Sequence, residues 1–160
     1  MRKLSILVVA SMIAVLIATV GLLAQSQESL FGTWKVNAGK SKFSPGPAPK
    51  SSIARWEGFQ GGVKLTVDVV PAQGETQHYE AIGKFDGKDN PVKGNNPDAD
   101  TIAFSKIDAR TYEAINKKGG KTTITARIVI AADGKTRITT QTGKDGQGRT
   151  VNNSMFYEKQ

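Results

Sequence analysis

The chain has no cysteine and a single histidine among its 160 residues. The first absence excludes disulfides and thiolate chemistry. The second excludes a zinc site built on paired histidines or on a His/Cys set. No Gly-x-Ser-x-Gly elbow marks a serine nucleophile. Aromatic residues are scarce, at 7%, and beyond the N-terminal leader no segment carries a sustained apolar stripe at helical spacing. A non-enzymatic protein is therefore expected, with no metal and no cofactor. With no disulfide available, the fold must hold by burial alone, which a chain of this size can manage.

Charge is missing from one long stretch. After Arg2 and Lys3 no charged residue occurs until Glu28, and residues 4–24 are almost entirely Leu, Ile, Val, Ala and Met. A basic start, an apolar run and small residues near a cut form the layout of a secretory signal. The cut is expected after Ala24 or Ser26, making residues 1–24 a signal peptide. The run also approaches the ~20 residues that span a bilayer, so an uncleaved anchor is the alternative. Either outcome carries the rest of the chain across the membrane. The expected location is periplasmic or secreted, or else tethered at the inner membrane through residues 4–24. No cysteine follows the run, so a lipoprotein anchor is excluded.

The remaining segment, residues 28–160, has the length of one domain. Without Arg2 and Lys3 the 22 basic residues become 20 against 14 acidic ones, an excess of six. These cations are scattered rather than massed, which suits a soluble basic surface and no nucleic-acid partner. A monomer is expected. Apolar and polar side chains alternate strictly along Val63–Val69, placing Val63, Leu65, Val67 and Val69 on one face of a strand. Ile124, Ala126, Ile128 and Ile130 repeat the pattern in 122–131, and shorter runs follow at 30–37, 53–59, 77–85, 101–107, 111–117, 136–142 and 151–158. Asp86-Gly87, Gly119-Gly120, Asp133-Gly134 and Asp145-Gly146 supply the turns between them. Two stretches read as irregular connections: the proline-rich 40–50 and the segment 91–100. The expected fold is all-β, an antiparallel up-and-down meander of about 8–10 strands that closes into a barrel, since closure removes exposed edges.

The opening strand reads Phe31-Gly32-Thr33-Trp34-Lys35, and the last ends Phe156-Tyr157-Glu158-Lys159. Gly-x-Trp on the first strand resembles the signature of lipocalins, and Gly-Thr-Trp-Lys with a Tyr-Glu-Lys ending is similar to fatty-acid-binding proteins. Gly32–Lys35, Lys40–Phe43 and Asn96–Thr101 together resemble small exported bacterial lipocalin-like proteins, over nearly the whole mature chain. The resemblance implies a lipocalin-like barrel plugged by Trp34, with Gly32 allowing close approach and Lys159 packing over the indole. Fatty-acid-binding proteins often hold the ligand carboxylate with Arg-x-Tyr on the last strand. Here Met155-Phe156-Tyr157 keeps the tyrosine and lacks the arginine, so ligand binding in that mode is not expected.

The candidate ligand-binding residues are Arg55, Trp56, Tyr79, Tyr112 and Tyr157. The aromatics suit a cavity wall with polar tips, and equally an ordinary core. Arg55 shares parity with Ile53 and opposes Trp56: if Ile53 faces inward, Arg55 is an internal cation, and if Trp56 does, Arg55 is surface. His78 is expected outside. Asn95, Asn96, Asp98 and Asp100 are oxygen-rich, but their spacing is not that of a calcium loop, and ordinary turns favour the same residues. With few bulky groups to fill it, the barrel is either partly hollow or flattened and solid. Two functions follow: an exported binding protein for a small apolar or amphipathic molecule, or a structural or interaction protein of the cell envelope using its basic surface.

Overall fold

The computed structural model describes residues 28–160. The expected leader lies outside the described residues. Ten strands follow one another: β1 (Gly32–Val36), β2 (Ser51–Phe59), β3 (Gly62–Val70), β4 (Gln77–Gly83), β5 (Asp86–Gly94), β6 (Thr101–Lys106), β7 (Thr111–Lys118), β8 (Lys121–Ile130), β9 (Thr136–Lys144) and β10 (Thr150–Lys159). Each pairs antiparallel with its sequence neighbours, and β1 closes the ring against β10. Trp34 stands opposite Lys159 and Val36 opposite Tyr157 across that seam. The fold is thus an all-β up-and-down barrel without a free edge.

Alternation sets the inner face. Val63, Leu65 and Val67 of β3 are buried, as are Ile124, Ala126, Ile128 and Ile130 of β8, while the residues between them are more exposed. The outer face is not wholly polar: Val129 and Ile138 are directly paired across β8 and β9, and both are exposed.

One strand departs from the sequence reading, which makes Asp86-Gly87 a turn and 91–100 an irregular link. Asp86 already pairs with Ser105 of β6, Gly87 sits in a bulge at φ 72°, and β5 runs on through Pro91 to Gly94. Almost every residue of this strand is exposed, so it carries no apolar alternation to reveal it. Pro91 stands opposite Thr101, and the next residue resumes the ladder, Val92 N donating to Asp100 O at 2.9 Å. β5 is laddered to β4 at three residue pairs, Tyr79–Gly94, Glu80–Lys93 and Ala81–Val92. Nearer the other end of β5 the Asn90 amide turns inward along the backbone, donating to Lys88 O at 2.8 Å and Ile102 O at 3.1 Å.

Because the strands run up and down, the connections gather at two ends. Residues 37–50, 71–76, 95–100, 119–120 and 145–149 surround one end, and the remaining hairpins and both ends of the described chain surround the other. The second end is closed. Glu28–Phe31 crosses it, burying Leu30 completely beneath Trp34, whose Nε1 donates to Leu30 O at 2.8 Å.

Candidate functional site

A cavity of about 840 Å³ runs from the rim loops of the open end down into the barrel. It exists because the inward positions are small where strands face one another: Ala54 on β2, Ala114 on β7 and Ala126 on β8 all line it. Of the two interiors open to the sequence, the hollow one is adopted. The wall on β2 and β3 is mostly apolar, with Trp56, Leu65, Val67 and Val69 and one hydroxyl residue, Ser52. Trp56 is fixed edge-on against Phe104, their ring centroids 5.5 Å apart at 73°. The wall on β9 is polar instead: Arg137, Thr139 and Gln141 are successive inward residues. Gln141 Oε1 accepts from Asn153 Nδ2 of β10 at 3.0 Å.

Arg137 is the residue that sequence reasoning missed. It is 3% exposed, pinned between two aromatic rings, with its guanidinium carbon 4.9 Å from the Trp34 centroid and 4.4 Å from that of Tyr157. Its Nε and Nη1 are buried and have no hydrogen-bond partner among the described residues. Burial pulls its pKa down to about 10, with the Tyr157 phenol opposing that shift, so at neutral pH the charge is retained. Two further buried polar atoms on the cavity wall are also unpartnered, Thr139 Oγ1 and Trp56 Nε1. Buried donors are nearly always paired in proteins, and an unmade bond to a charged group is costly.

The residues singled out from the sequence divide. Trp56, Tyr79 and Tyr157 line the cavity. Burial raises the Tyr79 phenol well above its ordinary range, with the Tyr157 hydroxyl and the Asp98 carboxylate adding to the effect. Arg55 does not line it: Trp56 takes the inward parity, and Arg55 stands outside with Nη1 2.8 Å from Asp68 Oδ2. His78, also outside, shares that carboxylate at 2.6 Å. The His78 and Arg55 bonds hold the Asp68 carboxyl below its usual range, against a smaller upward push from burial.

Gly32, Trp34 and Lys159 meet at the closed end. Trp34 is fully buried, and Lys159 Nζ lies 5.1 Å from its ring centroid. A Cβ on Gly32 would come within 2.4 Å of Lys159 Cε. Glycine there leaves the lysine stem its place over the indole.

Tyr112 also belongs to the closed end rather than to the cavity. Its hydroxyl donates to Glu28 Oε2 at 2.6 Å, and Lys106 Nζ meets the same oxygen at 2.7 Å. Burial pushes the Glu28 carboxyl up, but Lys106 and Tyr112 together bring it below its ordinary value. Tyr112→Phe is expected to lower stability by about 1 kcal/mol at neutral pH in urea unfolding. A carboxyl depressed by folding stabilises above its unfolded pKa and loses that contribution as pH falls through the folded one. The deficit of the variant should therefore shrink below about pH 4.

The oxygen-rich connection 95–100 is occupied with backbone. Asp98 Oδ1 accepts from Gly146 N, Asp100 Oδ2 from Gly119 N and Asn95 Oδ1 from His78 N. These bonds tie the rim of the open end together. No group of three or more His, Cys, Asp or Glu side chains suited to a metal occurs among the described residues.

Comparison with known protein families, curated proteins and solved structures gives no match for this chain.

Proposed function

We propose that this protein is a binding module that takes one small amphipathic molecule into its barrel. The observation that carries the reading is the 840 Å³ cavity, open at one end and apolar on one side, with a buried guanidinium lacking a partner at its floor. Ligand pockets commonly span 300–1,000 Å³ and combine apolar walls with a few polar groups. A solid structural barrel has no use for either feature, since an empty cavity and an unpaired buried charge both lower stability. The module acts without catalysis and as a single chain, on the far side of the membrane that residues 4–24 cross or direct it across. Its cations are dispersed over the surface, which suits solubility better than binding to nucleic acid.

Native mass spectrometry of the protein purified from its own envelope tests this reading. The wild type should carry one small-molecule adduct per chain, and Ala126→Phe, which fills the cavity from β8, should carry none. Bare polypeptide in both would count against the proposal. The polypeptide mass itself reads whether residues 1–24 are removed.

An interaction protein of the envelope is the second reading, favoured by the exposed Val129–Ile138 pair on the outer face. It predicts binding outside the barrel, unaffected by Ala126→Phe.

A further inference from the structure

The chemistry of the floor narrows the ligand class, on the premise that the cavity is the binding site. Arg137 offers donors only, because a guanidinium has no acceptor. Trp56 Nε1 is likewise a donor, and the Thr139 hydroxyl can donate. These groups are buried, on residues lining one cavity, and without partners. Among the described residues no carboxylate is ion-paired with Arg137, and aromatic faces are its neighbours at Trp34 and Tyr157. A cationic or donor-only ligand would leave the Arg137 and Trp56 donors unpaired, and only the Thr139 hydroxyl, which also accepts, could meet it. An acceptor-only anion would satisfy them.

Position adds a second condition. Arg137 and Thr139 lie on the same face of β9, one two-residue repeat apart, or roughly 7 Å along the strand. Across the cavity, β3 presents Leu65, Val67 and Val69. A plain hydrocarbon chain rising from Arg137 would pass Thr139 and leave its hydroxyl bare. An oxygen on the β9 side of the ligand would pair with it. We infer that the ligand is an organic acid that enters acid group first, seats its carboxylate on Arg137, and carries a hydroxyl or oxo group a few atoms along for Thr139.

Calorimetric titration of the whole chain with ten-carbon probes tests both conditions. Decanoate should bind about 10- to 100-fold more tightly than 1-decanol, with decyltrimethylammonium weaker still. Arg137→Met should erase the preference for decanoate while leaving 1-decanol within about threefold, as expected if a charged hydrogen bond has been removed. Among hydroxydecanoates substituted at successive carbons, one position should bind about 3- to 10-fold more tightly than decanoate. Thr139→Val should abolish that gain and leave decanoate itself within about twofold.

Should Arg137→Met fail to fold, the wild-type comparison of charges and the Thr139→Val series still decide the matter. Equal binding of decanoate and 1-decanol would overturn the acid-first inference while leaving the cavity as a site. A hydroxyl gain that survives Thr139→Val would overturn the role of Thr139. Absence of binding by every probe would instead go against the cavity as a site of this kind.

Discussion

Replacing Trp34 with alanine is expected to cost about 4 kcal/mol, read as a lower urea midpoint at an unchanged slope. The indole is completely buried, so its truncation opens a hole at the closed end rather than enlarging a wet surface. It also removes the 2.8 Å bond to Leu30 O that holds the N-terminal segment across the barrel. Arg137 and Lys159 both lose an aromatic face, at 4.9 and 5.1 Å. Since whole domains are stable by only about 5–15 kcal/mol, such a loss removes a large share of the total. Trp56→Phe is the natural comparison. That change deletes a buried N–H with no partner and keeps an aromatic ring against Phe104, so it should cost less than about 1.5 kcal/mol. Similar losses at the two positions would mean that Trp34 is an ordinary wall residue and not the plug.

Gly143→Ala should be comparably damaging, at about 3 kcal/mol or more, although it adds one carbon. Gly143 lies on β9 opposite Ile124 and Val151, with φ at 137°, a region closed to L side chains. A Cβ there would sit 2.0 Å from the Thr123 carbonyl oxygen, and that neighbour is backbone with little freedom to yield. The displacement would also reach the rim, because Thr123 Oγ1 donates to Asp98 O at 2.7 Å and to Asn116 O at 3.1 Å. Gly134→Ala provides the contrast. Its φ is 69° but nothing lies within 4 Å of the added carbon, so only the left-handed backbone cost of about 1 kcal/mol applies. Thermal unfolding of both variants separates the two contributions.

Much of this architecture is legible in the sequence, and the exceptions have physical causes. Strict alternation in β3 and β8 locates those strands because one face is core and the other water. β5 hides because Asp86–Gly94 is exposed along nearly its whole length and contains a proline. Leu30 differs for another reason: read as the start of the strand run 30–37, it lies before β1 in the segment that crosses the closed end, outside any sheet ladder, where periodicity says nothing.

Arg137 is the most instructive miss. In Thr136–Thr142 the obvious inward residue is Ile138, yet Ile138 is exposed and Arg137 is buried. Hydrophobicity points the wrong way, while register does not. A β8–β9 hairpin centred on Asp133-Gly134 places Arg137 opposite Ile130, whereas the β9–β10 turn, read at Asp145-Gly146, is centred on Gln147, and only that centre places Arg137 opposite Tyr157. Directly opposed residues share a face, and both partners point inward. The Asp133-Gly134 turn therefore held the answer that the apolar pattern obscured. Arg55 shows the converse: parity left two orientations open, and Trp56, with far more area to bury, takes the inside.

The most direct test of a ligand-binding interior is where a bound molecule touches the protein. With methyl-labelled alanine, isoleucine and valine, nuclear Overhauser contacts from decanoate should appear at Ala54, Ala114 and Ala126 inside the barrel. They should be absent at Val129 and Ile138 outside, and the inner set should vanish in Ala126→Phe. Contacts confined to Val129 and Ile138, with the inner methyls silent at saturation, would contradict the interior as the binding site.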